Sequence, residues 1–424
     1  MAARLNYGKT FLLGFGFFGV SVIWGVYNAF VPVFLAEKFG IAAGWIGFFM
    51  TLDNIAALFI QPPVGAWSDR VRTPLGRRIP FILVGAPISA IAFGLIPLAA
   101  VLPLFVACTS TLLLSAALWR TPVIALMPDI TPSAFRSQAN GIINFMGGVG
   151  VIVALQTGGL LYKMSPNFPF WLGSALVILA ALIVYLFIKE PKEYEETEEQ
   201  PGMLASLQEV FNDEEKSGLR ILLAIFFWFI GFSAVDTFFT LYAKNHLGLE
   251  VGDGATLLSV LPLFFVIFAI PSGFIAGRIG RRTTISIGLI IFIIMMILLY
   301  ITPADALLTG IAPLPLVGIP LVEGGTRMLT LAGVLLIICG IGWAFININS
   351  LPMIVDLTSA ARIGTYTGLY YLFSTLSAIV GPNMNGWAIQ LTGDNYNIIM
   401  ILASVFFAIA FVMMLGVRRG EATA

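Results

Sequence analysis

The sequence predicts an all-α protein that crosses a lipid membrane twelve times, in two related halves of six helices each. Of its 424 residues, 59% are hydrophobic and 10% are charged, and the mean hydropathy is +0.97. Soluble globular proteins carry roughly 25% charged residues, so the composition excludes a water-soluble protein. The number of long apolar segments and a repeat that relates the two halves lead to the same fold class.

Composition also excludes several classes of function. The net charge is zero, with 22 basic and 22 acidic residues, so no basic surface for a nucleic acid is expected. Cys108 and Cys339 both lie within apolar runs, and His246 is the single histidine. These residues provide neither a disulfide framework, a metal centre nor a nucleophile with its base. We therefore expect no cofactor and no enzymatic activity.

Twelve apolar segments are long enough to be transmembrane helices. A bilayer core about 30 Å thick requires about 20 apolar residues per helix. Arg4 and Lys9 precede the first segment, which is too long for the apolar core of a signal peptide, so we count it as a span. The predicted spans are 10–36, 43–67, 79–101, 104–127, 138–162, 168–188, 219–243, 254–276, 283–302, 328–351, 364–389 and 396–416.

The distribution of lysine and arginine predicts the orientation of these spans. Loops and termini on one side hold 17 of the 22 basic residues, whereas the other side holds Lys38, Lys163, Lys244 and Arg327. Basic loops stay in the cytoplasm, so both termini are expected there and the protein is expected in the cell (inner or plasma) membrane. The 17 residues are Arg4, Lys9, Arg70, Arg72, Arg77, Arg78, Arg136, Lys189, Lys192, Lys216, Arg220, Arg278, Arg281, Arg282, Arg362, Arg418 and Arg419.

One long charged segment divides the chain. It covers residues 189–217 between the sixth and seventh spans, so we predict an N-terminal half at 1–188, an acidic cytoplasmic linker and a C-terminal half at 218–424. Its apolar positions Leu204, Leu207, Val210 and Phe211 predict a short amphipathic helix at the membrane interface. A second insertion, rich in proline and glycine, lies on the opposite side of the membrane.

The two halves repeat each other at nearly constant offsets. The pattern that begins at Gly65 recurs at Gly273, 208 residues later. Beyond the second insertion the offset becomes 227, and Asp129 then matches Asp356. Duplicated halves are typical of secondary transporters, whose binding sites lie near mid-membrane.

These motifs resemble the major facilitator superfamily over essentially the whole chain. The long motif Gly65…Ser68-Asp69-Arg70…Gly76-Arg77-Arg78…Pro80-Phe81 and the series Pro122…Asp129…Arg136…Gly141 are similar to the sucrose–proton and maltose–proton symporters. The resemblance implies the major facilitator fold, alternating access and a monomeric protein. It also implies that spans one, four, seven and ten surround the substrate cavity.

The basic loops have a role that needs no substrate. Asp69 can accept hydrogen bonds from the amino end of the next helix and from arginines. We expect Arg70 to reach Asp129 and Arg362 to reach Asp356, as latches of the cytoplasmic side; binding of lipid headgroups is the alternative. The predicted gate residues are Gly65, Asp69, Arg70, Gly76, Arg77, Arg78, Asp129, Arg136, Arg278, Arg281, Arg282, Asp356 and Arg362. Because Gly277 replaces the equivalent of Asp69, the second latch is expected to be weaker.

Ionisable residues within spans mark functional sites, because they are costly in lipid. Asp53, Arg120 and Asp236 each lie roughly 12–16 Å from the end of their span, so we place all three in one mid-membrane layer. We expect them to couple transport to protons: Asp53 is the carrier with Arg120 as its partner, and Asp236 is the rival carrier.

The repeat groups polar residues with aromatic ones. The offsets match Asn28 with Asp236, Arg120 with Asn347 and Gln156 with Asn383. Amides bind hydroxyls and indole rings pack on sugar C–H faces, although amides also join helices to each other. The predicted substrate-binding residues are Trp24, Asn28, Asn54, Trp119, Arg120, Asn144, Gln156, Asp236, Trp343, Asn347 and Asn383.

Three functions remain open from the sequence. The resemblance and the polar layer favour proton-coupled symport of a sugar, such as a disaccharide or another glycoside. The phenylalanine-rich interior allows a proton antiporter that exports lipophilic drugs or lipids. A sugar sensor that does not transport, with the acidic linker as its output, is the third alternative.

Overall fold

The computed structural model describes residues 6–131, 135–190, 203–212, 215–315, 318–320, 325–357 and 363–420. Helices account for nearly all of this structure. The helices are α1 (Tyr7–Glu37), α2 (Ala43–Phe49), α3 (Leu52–Arg70), α4 (Ile79–Leu95), α5 (Leu102–Ile130), α6 (Arg136–Met164), α7 (Phe168–Phe187), α8 (Met203–Asn212), α9 (Ser217–Asn245), α10 (Val251–Leu258), α11 (Val260–Ile279), α12 (Arg281–Ile301), α13 (Ala304–Leu307), α14 (Leu331–Val355), α15 (Ile363–Leu391) and α16 (Ile398–Leu415).

The predicted fold class is confirmed. Within the described residues, eleven helical stretches are long and apolar enough to cross a membrane. The remaining predicted span, 364–389, lies within α15, which is 29 residues long but contains several hydroxyl and amide side chains. The protein is an integral membrane protein.

Two of the predicted spans are broken in the middle. The span at 43–67 consists of α2 and α3, and the span that we placed at 254–276 consists of α10 and α11. At the first break Thr51 Oγ1 donates to the Phe48 carbonyl (2.7 Å), and at the second Ser259 Oγ lies 2.6 Å from the Thr256 carbonyl. Such bonds compete with the helical ladder and bend helices. Thr51 and Ser259 are separated by 208 residues, the offset of the repeat.

The second insertion contains an unexpected small sheet. Strands β1 (Gly310–Pro313), β2 (Ile319–Pro320) and β3 (Arg327–Thr330) are antiparallel and are ordered β1-β3-β2. The Thr330 side chain then caps α14 by accepting from the Gly333 N–H. Short strands rich in glycine and proline carry little sequence signal, so the sequence indicated only a loop.

The helices form two compact units. The N-unit contains Met1–Ile41, Leu52–Glu196 and Glu250–Ser259, and the C-unit contains Ala42–Thr51, Thr197–Leu249 and Val260–Ala424. Thus α2 packs within the C-unit and α10 within the N-unit. The predicted boundary between the two halves at the linker stays a prediction. The contacts add that one short helix of each half packs in the unit that the other half forms.

Each unit has a dry helical core. In the N-unit α1 packs on α6 and α7, and α5 packs on α3 and α4. A Cβ atom at Gly25 would lie 2.7 Å from the Ala154 side chain, so glycine permits close approach of α1 and α6. In the C-unit α9 packs on α15 and α16, and α14 packs on α11 and α12. The linker forms α8, as its amphipathic pattern predicts, with Val210 buried and Phe211 exposed.

Candidate functional site

Four predicted site residues of the N-unit lie on α1, α3 and α6. Because Gly25 contacts Ala154 and the two helices run parallel, Asn28 of α1 and Gln156 of α6 lie at similar depths. Asp53 follows the break before α3, and its Oδ1 accepts from Asn54 Nδ2 (2.8 Å). These four predicted residues are half-buried. The α1 face also carries Trp24, whose ring packs edge-on against Tyr27 at 5.6 Å.

Arg120 does not lie at the depth of Asp53, contrary to the prediction. The α3–α5 contact places Gly65 against Thr121, the residue after Arg120. Asp53 precedes Gly65 by twelve residues, which is about 18 Å along a continuous helix. That distance exceeds the reach of an arginine side chain. The estimate measured Asp53 and Asp236 from the outer ends of their spans but Arg120 from the cytoplasmic end of its own, so an error in either end shifts Arg120 relative to the other two.

Two other predicted substrate residues make ordinary structural contacts. Trp119 is 1% exposed, and its indole N–H donates to Ser89 Oγ (3.0 Å) of α4. Asn144 is exposed, and its Nδ2 donates to the Asn140 carbonyl one turn earlier (2.8 Å). Trp119 therefore joins α5 to α4, and its role as a sugar platform has no support from this position.

The C-unit presents an aromatic surface beside a carboxylate. Phe229, Phe232 and Asp236 are half-buried and recur at the spacing of one face of α9. The Phe232 ring stacks on Trp343 with centroids 3.9 Å apart and an interplanar angle of 7°, and Phe229 meets the same indole edge-on at 5.5 Å. Trp343 is 6% exposed, so the half-buried Phe229 and Phe232 are the more accessible rings of this cluster. Asn347 follows one turn later on α14.

The two amide side chains that the repeat relates, Gln156 and Asn383, each form a hydrogen bond at a helix break. Gln156 Oε1 accepts from Ser259 Oγ (2.8 Å) within the N-unit. Asn383 Nδ2 donates to Thr51 Oγ1 (3.3 Å) and to the Ile379 carbonyl (2.9 Å) within the C-unit. Gln156 and Asn383, which were predicted to bind a sugar, therefore each bind a protein hydroxyl group at a helix break. The sequence did not indicate this role.

The histidine gives no evidence of proton carriage. Its ring, just beyond the end of α9, stacks on Tyr242 with centroids 5.2 Å apart. Burial lowers the pKa of His246, so the imidazole is neutral at neutral pH. The mid-span carboxylates remain the candidate proton carriers.

A charged network closes the arginine-rich end of the N-unit. Arg77 Nη2 donates to Asp129 Oδ1 (2.6 Å), and Arg78 Nε donates to Asp129 Oδ2 (2.9 Å). Arg78 also donates to Asp69. The predicted partner Arg70 is exposed, so the assignment of Asp129 to Arg70 was wrong. The two arginines of the network stand at the start of α4, which packs along α5, whereas Arg70 ends α3 on the exposed side.

Glu190 is a member of this network that the sequence did not reveal. Its carboxylate accepts from the backbone N–H groups of Arg77 (2.8 Å), Arg78 (2.8 Å) and Ile79 (2.7 Å). It therefore caps α4, the role that we had assigned to Asp69. Gly76 has φ of 107°, and a Cβ there would collide with the Glu190 carboxylate. The sequence does show a glycine at position 76, within the basic-loop motif. Nothing in the sequence indicates that Glu190 is the residue that lies against it.

The second copy of this network is simpler. Arg281 forms an ion pair with Asp356, the predicted acid, while Arg282 donates to the Met414 (3.2 Å) and Leu415 (2.7 Å) carbonyls at the end of α16. Arg278 is exposed. The predicted partner Arg362 and the side chain of Arg136 lie outside the part of the chain that the structure describes.

Gly277 lacks the carboxylate that Asp69 provides in the N-unit, and it lines a cavity. A cavity of about 400 Å³ between α11 and α14 is lined by glycines, Arg281 and Asn349. A Cβ at Gly273 or Gly277 would meet no atom within 4 Å. In the N-unit, Asp69 occupies the position that corresponds to Gly277, and Arg78 donates to it and to the neighbouring Ser68.

A helical membrane protein with duplicated halves, helices broken at equivalent positions and carboxylates at mid-span belongs to the class of secondary transporters. The chain belongs to the Major Facilitator Superfamily, whose family profile matches residues 13–382. The resemblance to that superfamily is thereby confirmed, whereas the narrower resemblance to sucrose and maltose symporters is not.

Three relatives are named for compounds other than sugars. Multidrug resistance protein 1 of Bacillus subtilis is 24% identical over 214 residues, which are 50% of this chain and 53% of that protein. The class B tetracycline resistance protein of Escherichia coli is 26% identical over 280 residues, 64% and 66% of the two chains. The cis,cis-muconate transport protein of Acinetobacter baylyi is 23% identical over 309 residues, 68% and 70%. The matched region spans about half of the first of these relatives.

Solved structures share the fold. A bacterial homolog of the human lysosomal transporter Spinster has a TM-score of 0.74 at 16% identity and covers 99% of this chain and 100% of its own. The nucleoside transporter NupG has a TM-score of 0.69 at 16% identity, with coverages of 97% and 99%. At this identity the likeness concerns the fold alone.

Proposed function

We propose that this protein exports amphiphilic aromatic compounds, preferably cationic ones, in exchange for protons. The observation that carries the proposal is the α9 face, on which Phe229 and Phe232 stand next to Asp236. Flat rings stack on phenylalanine, and a positive charge on the compound is attracted by both the ring faces and the carboxylate. The similarity to the multidrug and tetracycline resistance proteins agrees with such a surface.

Symport of a sugar is the second candidate. Trp24 and Asn28 share one face of α1, with Asp53 and Asn54 at the adjoining helix break, and a hydroxylated ligand suits these groups. Against it, Trp119 donates its N–H to Ser89, and the two symmetric amides bind protein hydroxyls. The predicted sugar site thus has fewer polar groups at its disposal than the sequence indicated, and the exporter is preferred. A sensor that does not transport is distinguished from both by the absence of flux.

Proton coupling is assigned to the carboxylates alone. Asp53 remains the first candidate carrier and Asp236 the rival, because each is half-buried within a helix where a charge is costly. Direct pairing of Asp53 with Arg120 is not part of the proposal, given the separation of about 18 Å along α3. Arg120 is retained as a charge that can act on substrate or on the gate.

The membrane placement is part of the proposal. The arginine-rich ends of the helices face the cytoplasm, because basic loops are retained on that side. Both termini then lie in the cytoplasm of a cell whose plasma (inner) membrane holds the protein. A monomer is the functional unit that the superfamily resemblance implies.

The test is transport of ethidium, a cationic aromatic dye, by inside-out membrane vesicles with an acidic lumen. The parent chain should accumulate ethidium, and Phe232→Ala or Asp236→Asn should reduce the initial rate by about tenfold, the loss of one stacked ring or one ion pair. Phe274→Ala and Asp305→Asn alter exposed residues of the same unit and should retain the parent rate. Equal rates in all five chains, or uptake of sucrose and maltose instead of ethidium, would refute the exporter.

A further inference from the structure

The exchanged helix α10 is fastened to α6 by three successive contacts. Beside the break, Ser259 Oγ donates to Gln156 Oε1 (2.8 Å). One turn farther along α6, Gly159 and Gly252 meet so closely that a Cβ at either would collide with the other's carbonyl. At the outer end, Lys163 Nζ contacts Asp253 Oδ2 at 2.6 Å and Glu250 Oε2 at 3.2 Å. We name this set the α6–α10 clasp.

The other exchanged helix, α2, is fastened to α15 in the same way. Asn383 donates to Thr51 at the break (3.3 Å), and a Cβ at Gly386 would collide with the Ala43 carbonyl. At the outer end the Gly44 N–H donates to Gln390 Oε1 (3.1 Å). We name this set the α2–α15 clasp. The offset of 227 relates Gln156 to Asn383, Gly159 to Gly386 and Lys163 to Gln390.

The two clasps differ in charge at the outer contact. Lys163 binds two carboxylates, whereas Gln390 makes a neutral hydrogen bond with a backbone group. The Asp253 side chain is 7% exposed and that of Lys163 is 30% exposed. Loss of the lysine would leave a buried carboxylate without its cation, which costs far more than loss of a neutral hydrogen bond.

We propose that Lys163 is the positioning residue of α10, and that charge controls the separation of the α6–α10 clasp but not that of the α2–α15 clasp. The proposal rests on the proposed function to the extent that a transporter must separate these helices in each cycle. Asp253 and Glu250 act together as the receptor for the ammonium group. Gln390, at the equivalent position, supplies geometry without charge.

The test measures how often α10 leaves α6. Thr256 is 0% exposed, and its Oγ1 lies beside Gly159, so a Thr256→Cys reporter reacts with a fluorescent maleimide only when the clasp opens. The full chain is labelled in lipid nanodiscs, and the same chain without the reporter corrects for Cys108 and Cys339. Lys163→Gln should raise the labelling rate about tenfold or more, because the buried carboxylate of Asp253 loses its cation while the clasp is closed.

Controls separate charge from packing. Lys163→Arg retains the charge and should label within about threefold of the parent. Gln390→Ala alters only the α2–α15 clasp and should leave the labelling of this reporter unchanged. The double exchange Lys163→Asp with Asp253→Lys should restore slow labelling. A chain in which Lys163→Gln fails to fold is replaced by Lys163→Met, which also removes the ammonium group and leaves Asp253 in place.

Two results would overturn the proposal. One is a labelling rate in Lys163→Gln, or in Lys163→Met, within about twofold of the parent. The other is equally fast labelling of Lys163→Arg and Lys163→Gln, which would assign the effect to shape. Since labelling requires no substrate, absence of ethidium or sugar flux in the parent would refute the proposed function and leave this result unaffected.

Discussion

At the scale of single residues, charge is balanced by short, specific contacts. Asp129 lies between two guanidinium groups, and its side chain is 10% exposed. Glu190 accepts three backbone N–H groups at the start of α4. These contacts fix the loop between α3 and α4 without any contribution from a substrate, as a gate of this region requires.

The cap of α4 can be tested through stability. Glu190→Ala leaves three N–H groups without their acceptor and should lower the free energy of unfolding by about 1–2 kcal/mol. Thermal unfolding of the detergent-solubilised protein measures the effect as a lower Tm. The adjacent exposed Lys189→Ala is the control and should retain the parent Tm. An unchanged Tm in Glu190→Ala would show that water replaces the carboxylate without loss.

The proton carrier can be tested through transport. Asp53→Asn removes the titrating group but keeps the hydrogen bond with Asn54 feasible, so exchange of labelled substrate should continue while pH-driven accumulation stops. Asp305→Asn, on an exposed residue, should accumulate substrate like the parent. Accumulation by Asp53→Asn together with its loss in Asp236→Asn would transfer the role to the rival carboxylate.

The sequence indicated which residues matter, but not which partners they contact. The sequence indicated that Asp129, Asp356 and Gln156 matter, because each recurs in the repeat or lies within a span. It could not name their partners, since Arg77 and Arg281 were no better candidates than their neighbours until the start of α4 and α12 was known. Glu190 had no signal, because a carboxylate at the edge of an acidic linker looks solvated.

At the scale of elements, the broken helices are the main addition to the sequence prediction. Hydropathy located the spans that contain α2–α3 and α10–α11, because length and apolar content determine that result. A window of about 20 residues averages over a break of one or two residues, so the interruptions at Thr51 and Ser259 were missed. The two breaks are separated by the repeat offset of 208 residues. A break recognised in one half would therefore have predicted the break in the other half.

The close contact of α6 with α10 predicts a glycine requirement. Gly159→Ala forces a methyl group against the Gly252 carbonyl and should weaken the clasp, which raises the labelling rate of the Thr256→Cys reporter severalfold. A methyl group at Gly141 of the same helix would meet no atom within 4 Å. Gly141→Ala should therefore gain up to about 1 kcal/mol from helix propensity without altering the labelling. Equal labelling of the two variants would contradict the glycine contact.

At the scale of the whole molecule, the duplicated halves made the fold predictable but not the substrate. Fold class, span positions and superfamily were predictable, because twelve apolar segments and one repeat leave few alternatives. The substrate was not, because amides and tryptophans in a membrane helix look alike whether they bind a ligand or another helix. Trp119 and Asn383 show that ambiguity, since their hydrogen bonds go to Ser89 and Thr51.

The most direct test of the central claim is the pH of the medium around proteoliposomes when a candidate substrate is added. With ethidium, a proton antiporter releases protons as the dye enters, so the medium should become more acidic, and Asp53→Asn should abolish the change. With sucrose or maltose the medium should not respond. Alkalinisation on addition of either sugar, with no response to ethidium, would contradict the exporter and establish symport.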